Sequence, residues 1–163
     1  MFKSVASENE IVKIANQLKI ELQPGDWVFL AGDLGAGKTT LIKSFVHLFD
    51  ANIEVTSPTF SVMQSIPVNQ ASLKQVLHLD LYRLKKANEL WYLGIEDSFL
   101  ALNTIVFFEW AENILFEEWQ EFFNKTHCPF PRRVCLLEIT HQGASCREYK
   151  WEFDNNYFDM RLL

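Results

Sequence analysis

The amino-acid sequence predicts one three-layer α/β domain over residues 1–163, with a mixed, mostly parallel sheet and an antiparallel edge hairpin. Three observations lead to this fold class. A glycine-rich segment beginning at Gly32 lies between a strand pattern and a helix pattern. Two apolar runs, 76–81 and 104–108, predict further strands, and the second is typical of a strand buried on both faces. Two more strand patterns are joined by a turn around Gly143 and predict the hairpin.

The glycine-rich segment, GDLGAGKT from Gly32 to Thr39, matches the phosphate-binding loop G-x-x-x-x-G-K-[ST], the Walker A motif. Residues 26–31 before it form a β-branched and aromatic run. Residues 40–49 after it carry apolar side chains at helical spacing. Strand, loop and helix therefore follow in the order that a P-loop NTPase-like fold requires.

The residue types of the loop suit a bound phosphate. Its glycines allow a tight turn whose backbone N–H groups point inward at the positive end of the following helix. Lys38 is expected to reach the β- and γ-phosphates, and Thr39 to ligate a shared Mg²⁺ ion. A plain glycine-rich turn would not need Lys-Thr at this spacing. The loop residues predicted to bind the cofactor are Leu34, Gly35, Ala36, Gly37, Lys38, Thr39 and Thr40.

Two acidic residues lie at the ends of predicted strands. Asp80 stands near the end of 76–81, and Glu109 directly follows 104–108. A carboxylate at Asp80 could hold Mg²⁺ and fill the Walker B role, and one at Glu109 could polarise water or bind the metal's hydration shell. A solvated strand-end aspartate, and a carboxylate stabilising a helix predicted over 111–123, are the alternatives.

The segment VTSPTF, residues 55–60, precedes a strand pattern over 60–66 and places Thr59 in a hydroxyl-rich turn. Loops of this kind sense the γ-phosphate and its metal in phosphate-hydrolysing folds. A rigid turn before a strand explains the same residues equally well, so both interpretations stay open.

The remaining elements follow from local patterns. Ser7 and Glu10 fit a capping box that begins a helix, and residues 23–25 end it. Two short helical pieces, 87–93 and 95–102, are predicted to meet at Gly94, and the hairpin strands are predicted over 134–140 and 146–153. The predicted buried face of the first helix comprises Ile11, Ile14, Ala15, Leu18 and Leu22.

Composition limits the classes of function. A formal net charge of -6 argues against unaided binding to a nucleic-acid backbone. The sequence carries no apolar stretch of signal-peptide or membrane-spanning length, so we expect a cytoplasmic protein without membrane contact. Its three cysteines, Cys128, Cys135 and Cys146, are odd in number and form no C-x-x-C pair, which argues against a disulfide framework. Their spacing matches no zinc-finger pattern.

With these residues laid out, the sequence resembles the TsaE family, small bacterial P-loop ATPases needed to make threonylcarbamoyladenosine in tRNA. The resemblance extends from the predicted amino-terminal helix to about residue 112. The combination of SPTF, DLYRL and EW distinguishes this family from other P-loop proteins. The matching blocks are GDLGAGKTT from Gly32, SPTF from Ser57, HLDLYRL from His78, LGIEDSF from Leu93 and FEWAE from Phe108.

The resemblance implies ATP and Mg²⁺ as cofactors and a role for each matched position. Trp110 resembles an aromatic prop or partner contact, and the family's amino-terminal contact near the base points to Ser7 and Glu8. Residues 85–89 depart from the family pattern, which usually has a proline and two acidic residues there. The implied site roles are phosphate contact for Lys38, Mg²⁺ binding for Thr39, Asp80 and Glu109, and γ-phosphate sensing for Thr59.

The implied reaction is hydrolysis of ATP by in-line attack of water on the γ-phosphate. Arg83 is the only arginine among the first 131 residues, so we expect slow hydrolysis alone and faster turnover in a complex. The resemblance names the TsaD and TsaB proteins as partners, which handle the tRNA, so that this chain would meet tRNA only indirectly.

Three other functions share part of this sequence pattern. A small-molecule kinase usually adds an arginine-rich lid, whereas only Arg132 and Arg133 are adjacent here. A GTPase is disfavoured because residues 124–127 lack the aspartate of N-K-x-D and residues 80–83 lack the glycine of D-x-x-G. A non-enzymatic module that uses ATP only to dock onto partners is compatible with the sequence.

Overall fold

A computed structural model describes residues 1–93, 99, 103–126, 128 and 130–158. The strands are β1 Phe2–Ser7, β2 Asp26–Ala31, β3 Met63–Pro67, β4 Gln75–Asp80, β5 Thr104–Glu109, β6 Arg133–Gln142 and β7 Cys146–Asp154. They form one seven-stranded sheet in the order β1-β7-β6-β2-β5-β4-β3. Within the described ranges, no helix combines the length and the apolar character needed to cross a membrane.

The centre of the sheet is parallel and its sides are antiparallel. β2 pairs in parallel with β5 and β6, and β4 pairs in parallel with β5. Antiparallel pairs join β3 to β4, β6 to β7, and β1 to β7. The predicted mixed, mostly parallel sheet with an antiparallel hairpin is confirmed, but the outermost strand beyond the hairpin is β1, which the sequence analysis does not predict.

Two helices cover one face of the sheet. A capping box of Ser7 and Glu10 leads through a single 3₁₀ turn, Glu8–Glu10, into α1, Ile11–Glu21, as predicted. The helix after the phosphate-binding loop is α2, Lys38–His47. These helices enclose one apolar core with the facing strands, and each fully buried large side chain in it contributes about 1.5–3 kcal/mol to folding.

The other face is covered by α3, Phe116–Thr126, over a second core rich in aromatic rings. Trp27 of β2 lies at its centre, with its ring centroid 4.9 Å from that of Phe108 and 5.7 Å from that of Trp119. The amphipathic pattern of α3 buries Trp119, Phe122 and Phe123. Helices on both sides of a sheet confirm the predicted three layers.

Several predicted elements differ from the structure in their bounds or in their helix type. The helix predicted over 111–123 is a 3₁₀ turn, Ala111–Asn113, followed by α3, because the buried Ile114 takes an extended backbone between them. The strand predicted from residue 60 begins at Met63, because Val62 has a positive φ of 65°. The helical piece over 87–93 is a 3₁₀ helix, Ala87–Leu93. The piece over 95–102 lies outside the described residues, apart from the buried Phe99.

The topology brings the candidate site residues to one edge of the sheet. β2 ends at the phosphate-binding loop, and its parallel neighbour β5 ends at Glu109. β4 follows on the far side of β5, with Asp80 directly opposite Glu109 in the pairing register. The carboxyl ends of all three strands therefore surround the start of α2.

Candidate functional site

The phosphate-binding loop has the backbone that its glycines permit. Gly37, the N-cap of α2, has φ 101°, a conformation that side chains disfavour. Gly32 has φ 146°, and a Cβ atom there would lie 2.5 Å from the backbone oxygen of Ile139 in β6. The loop can therefore lie this close to the sheet only with glycine at position 32.

Lys38 folds back over the loop. Its Nζ donates hydrogen bonds to the backbone oxygens of Gly32 at 2.6 Å and Asp33 at 3.1 Å. It also lies 3.6 Å from the ring centroid of Trp110, a cation–π contact. Burial lowers the pKa of Lys38 from its ordinary value, and the nearby carboxylates of Glu109 and Glu112 oppose that shift. The ammonium group thus stands at the mouth of the loop, held by neutral partners.

Glu109 is linked directly to the P-loop helix. Oγ1 of Thr39 donates to Oε1 of Glu109 at 2.7 Å, and Nε2 of His78 lies 2.8 Å from the same oxygen. His78 is 0% exposed and Glu109 is 4% exposed, so both lie inside the fold, whereas Thr39 is half-buried at its edge. A threonine from α2, a glutamate from β5 and a histidine from β4 are thereby connected.

Asp80 is linked instead to the loop before β3. Its Oδ2 accepts hydrogen bonds from Thr59 Oγ1 at 2.7 Å and, weakly, from Ser57 Oγ at 3.4 Å. Its Oδ1 accepts from the backbone N–H of Tyr82 at 3.1 Å. The same loop reaches β4 a second time, because Asp80 N donates to the backbone oxygen of Val62. Thr59 therefore contacts the carboxylate that the sequence analysis assigns to the metal.

The phosphate-binding loop, the loop before β3 and the carboxyl ends of β4 and β5 line one cavity of about 350 Å³. A volume of this order suits part of a nucleotide. Tyr82, Ser57 and Trp110 complete its wall with the predicted residues. The predicted site residues that line it are Leu34, Gly35, Gly37, Lys38, Thr39, Thr40, Thr59, Asp80 and Glu109.

A second cavity of about 510 Å³ lies on the other side of the loop. Gly35, Gly37 and Thr40 line both cavities, so the two adjoin across the start of α2. Predicted residues Glu8 and Ala36 belong to this second cavity. Its wall is formed by the amino-terminal segment, the P-loop and the tip of the β6–β7 hairpin: Ser7, Glu8, Asn9, Ile11, Ala36, Ala144, Ser145, Arg147 and Tyr149.

The structure thus divides the predicted site residues between two adjoining cavities. Several residues at or beside these cavities were not singled out as site residues by sequence reasoning, among them His78, Ser57 and Arg147. A usable signal existed for His78, since a polar side chain two residues before Asp80 in an apolar strand faces the same side. Arg147 gave no signal, because only the pairing of β7 with β1 brings the hairpin tip beside the amino-terminal segment.

Comparison with known proteins places the chain among proteins of one family. Residues 5–148 match the family model described as "Threonylcarbamoyl adenosine biosynthesis protein TsaE". The tRNA threonylcarbamoyladenosine biosynthesis protein TsaE of Rickettsia conorii is 42% identical over 167 residues, covering 96% of this chain and 89% of its own. The protein of the same name from Mycobacterium bovis is 34% identical over 147 residues, covering 87% of this chain and 82% of its own.

The crystal structure of Bacillus subtilis YdiB has the same fold. It superposes with a TM-score of 0.60 at 24% sequence identity, covering 98% of this chain and 89% of YdiB. The family match begins within β1, spans β2 through β6 and reaches into β7. It therefore includes the whole lining of the first cavity and all of the second except Tyr149. The chain belongs to the TsaE family of threonylcarbamoyl adenosine biosynthesis proteins.

Proposed function

We propose that this protein is an ATP-binding, Mg²⁺-dependent ATPase required for threonylcarbamoyladenosine modification of tRNA. The observation that carries the proposal is the convergence of a P-loop lysine, a P-loop threonine and two strand-end carboxylates on one cavity. Family membership supplies the pathway, since relatives are named for biosynthesis of this modified nucleoside in tRNA.

The phosphates would occupy the cavity at the start of α2. Backbone N–H groups of the loop and the positive end of the helix favour an anion there. Lys38 is already desolvated, so a phosphate would replace the two carbonyl oxygens that it now contacts. Replacing neutral acceptors by an anionic one strengthens each hydrogen bond, which favours binding.

Thr39, Glu109 and Asp80 have the donor chemistry that Mg²⁺ prefers, namely hard oxygen atoms. Because the hydroxyl of Thr39 donates a hydrogen bond to Glu109, the lone pairs of its oxygen stay available for a metal. When bound, Mg²⁺ would neutralise the charge that develops on the phosphate oxygens. These three residues would hold it, directly or through its water ligands.

The two carboxylates differ in what connects them to the loop. Glu109 ends the strand next to β2 and accepts from Thr39, so we assign the Walker B role to Glu109 rather than to Asp80. Asp80 accepts from Thr59 and Ser57, which favours the switch interpretation of residues 55–60 over a rigid turn. In this proposal Asp80 couples the switch loop to the metal.

The adenine and ribose would lie in the second cavity. It adjoins the phosphate cavity across Gly35, Gly37 and Thr40, as the continuous shape of a nucleotide requires. Glu8 lines it from the amino-terminal segment, and Arg147 lines it from β7. The position of Glu8 in the lining of this cavity supports the proposed contact of Glu8 with the nucleotide.

Hydrolysis by the isolated protein would be slow. The described residues that line the phosphate cavity include Lys38, which supplies positive charge, but they include no arginine. An arginine that stabilises the transition state is worth roughly 10³ to 10⁵ in rate. We therefore propose that turnover rises in a complex with TsaD and TsaB, which would present the tRNA.

Equilibrium binding of ATP and release of phosphate test the proposal. Lys38→Ala should weaken ATP binding and lower phosphate release by about a hundredfold or more. Lys43→Ala is the matched control, because Lys43 is an exposed lysine of the same helix. Equal activity of wild type and Lys38→Ala would contradict the proposal, and transfer of phosphate to an added metabolite would favour a kinase.

A second experiment separates an ATPase from a docking module. The Glu109→Ala variant is added to purified TsaD, TsaB and tRNA with ATP, and both phosphate release and repeated cycles of modification are measured. The ATPase proposal expects both to fall together. Repeated modification without hydrolysis would show that ATP binding alone suffices.

A further inference from the structure

One buried side chain in contact with the site is left without a role by the proposed function. His78 lies in the middle of the apolar strand β4, is 0% exposed, and faces the same side as Val76 and Asp80. Its Nε2 lies 2.8 Å from Oε1 of Glu109. Burying a polar imidazole ring in this position costs free energy that apolar packing alone does not offset.

The two ring nitrogens of His78 have different surroundings. Nε2 faces the carboxylate of Glu109, whereas Nδ1 is buried and has no hydrogen-bond partner among the described residues. Because a carboxylate oxygen accepts hydrogen bonds, Nε2 is the donor in this contact and donates to Glu109.

Two donors then converge on one oxygen of Glu109. Thr39 Oγ1 and His78 Nε2 both bond to Oε1. Within the described parts of the chain, no hydrogen bond to Oε2 is found, and Glu109 lines the phosphate cavity. A carboxylate held at one oxygen from two directions has a fixed plane and presents the other oxygen to the cavity.

We propose that His78 is a positioning residue that fixes the carboxylate of Glu109 for its work at the phosphate cavity. This inference depends on the proposed ATPase function and deepens it. His78 touches neither phosphate nor metal in this account. It acts by donating one hydrogen bond that keeps Glu109 in the orientation Thr39 also requires. Loss of such a supporting partner typically costs about tenfold to a hundredfold in activity or metal affinity.

The test compares three substitutions in β4. His78→Leu removes the donor, and His78→Gln keeps an amide N–H near the position of Nε2. Val76→Ala is the matched control, because Val76 is equally buried on the same face and makes only apolar contacts. Phosphate release is measured over a range of Mg-ATP concentrations, and each variant's melting temperature is recorded.

The positioning role predicts that His78→Leu lowers kcat by about tenfold to a hundredfold while KM stays within about twofold. His78→Gln should recover most of the loss, and Val76→Ala should keep the wild-type kcat. An equal loss in His78→Leu and Val76→Ala, or an unchanged kcat in His78→Leu, would overturn the inference.

A double-mutant cycle on unfolding tests the contact without nucleotide. The variants are His78→Leu, Glu109→Ala and the double substitution, each unfolded with urea. A loss in the double variant smaller than the sum of the single losses supports the contact. Additive losses overturn the inference, whatever the ATPase assay shows. If the wild type itself releases no phosphate, the proposed function fails, and this cycle alone decides whether His78 holds Glu109.

Discussion

Carboxylates are buried at both ends of the parallel strands, but different kinds of donor contact them at the two ends. At the amino end of β2, Asp26 is 0% exposed, and Arg133 donates to both of its oxygens at 2.9–3.0 Å. Arg133 makes three hydrogen bonds to this carboxylate, and the backbone N–H of Gln23 donates a fourth to it at 2.7 Å. At the carboxyl ends, Glu109 and Asp80 are each 4% exposed, but their hydrogen bonds come from hydroxyl, imidazole and backbone groups.

The difference lies in which carboxylate is neutralised. Arg133 cancels the charge of Asp26 and also donates to the backbone oxygen of Glu21, so this pair ties β2, β6 and the end of α1 together. Among the described residues, neither Glu109 nor Asp80 forms an ion pair with a lysine or an arginine, and Lys38 is a nearby cation. Burying carboxylates in this way costs stability unless a cation completes the site, which supports the function proposed for the carboxyl end.

The largest expected effect is on hydrolysis, from Glu109→Gln. The amide keeps the size of the side chain and can still accept a hydrogen bond from Thr39. It loses the charge, so phosphate release should fall by about 10²- to 10⁴-fold while the melting temperature stays near that of the wild type. A melting temperature that collapses with activity would mean that Glu109, like Asp26, is a structural carboxylate.

The opposite pattern is expected for Asp26→Asn. Leaving Arg133 without its charge partner should lower the free energy of unfolding by about 3 kcal/mol, measured by urea denaturation. Phosphate release per folded molecule should not change. Glu54→Gln, at an exposed carboxylate, is the control and should change neither quantity. Lost activity in fully folded Asp26→Asn would break the distinction between the two ends.

A smaller effect is expected from Thr59→Val, which removes the shorter of the two hydroxyl contacts to Asp80. Phosphate release should fall by about tenfold, because Asp80 loses the partner that orients it. Thr56→Val is the matched control in the same loop, since its hydroxyl makes no hydrogen bond within the described residues. Equal rates in both variants would leave residues 55–60 as a rigid turn.

The smallest effect is expected for Glu10, an acidic side chain that belongs neither to the Asp26–Arg133 pair nor to the site of Glu109 and Asp80. A hydrogen bond from Lys13, together with those from Ser7, lowers the pKa of Glu10 to about 2. A depressed carboxyl pKa stabilises the fold above the unfolded value of 4.5, and this contribution is lost as pH falls through about 2. Glu10→Gln should therefore lower the melting temperature slightly at pH 7, and the difference should shrink between pH 5 and pH 2.

Local sequence patterns were sufficient for the elements that build the loop. The strand before Gly32, the turn and the start of α2 each carry their own signal within a few residues. The capping box of Ser7 and Glu10 and the buried strand β5 are equally local. These are the parts of the fold for which the sequence analysis and the structure agree.

The parts that sequence reasoning missed depend on distant partners. Only half of the residues in β1 are apolar, and its backbone is stabilised by pairing with β7. The interruption of the predicted helix at Ile114 coincides with no glycine or proline in the sequence. It follows from burial of the Ile114 side chain in the second core. Similarly, the contact of Thr39 with Glu109 depends on β5 lying beside β2, and strand order cannot be read from local patterns.

The central claim is that Thr39, Glu109 and Asp80 surround the metal of a bound Mg-ATP. A crystal structure with Mg²⁺ and a non-hydrolysable ATP analogue tests it most directly. The account predicts phosphates within the loop from Gly32 to Thr39, a metal ion bound by Thr39 and facing both carboxylates, and the base beside Glu8. A nucleotide bound elsewhere, or a metal remote from both carboxylates, would contradict it.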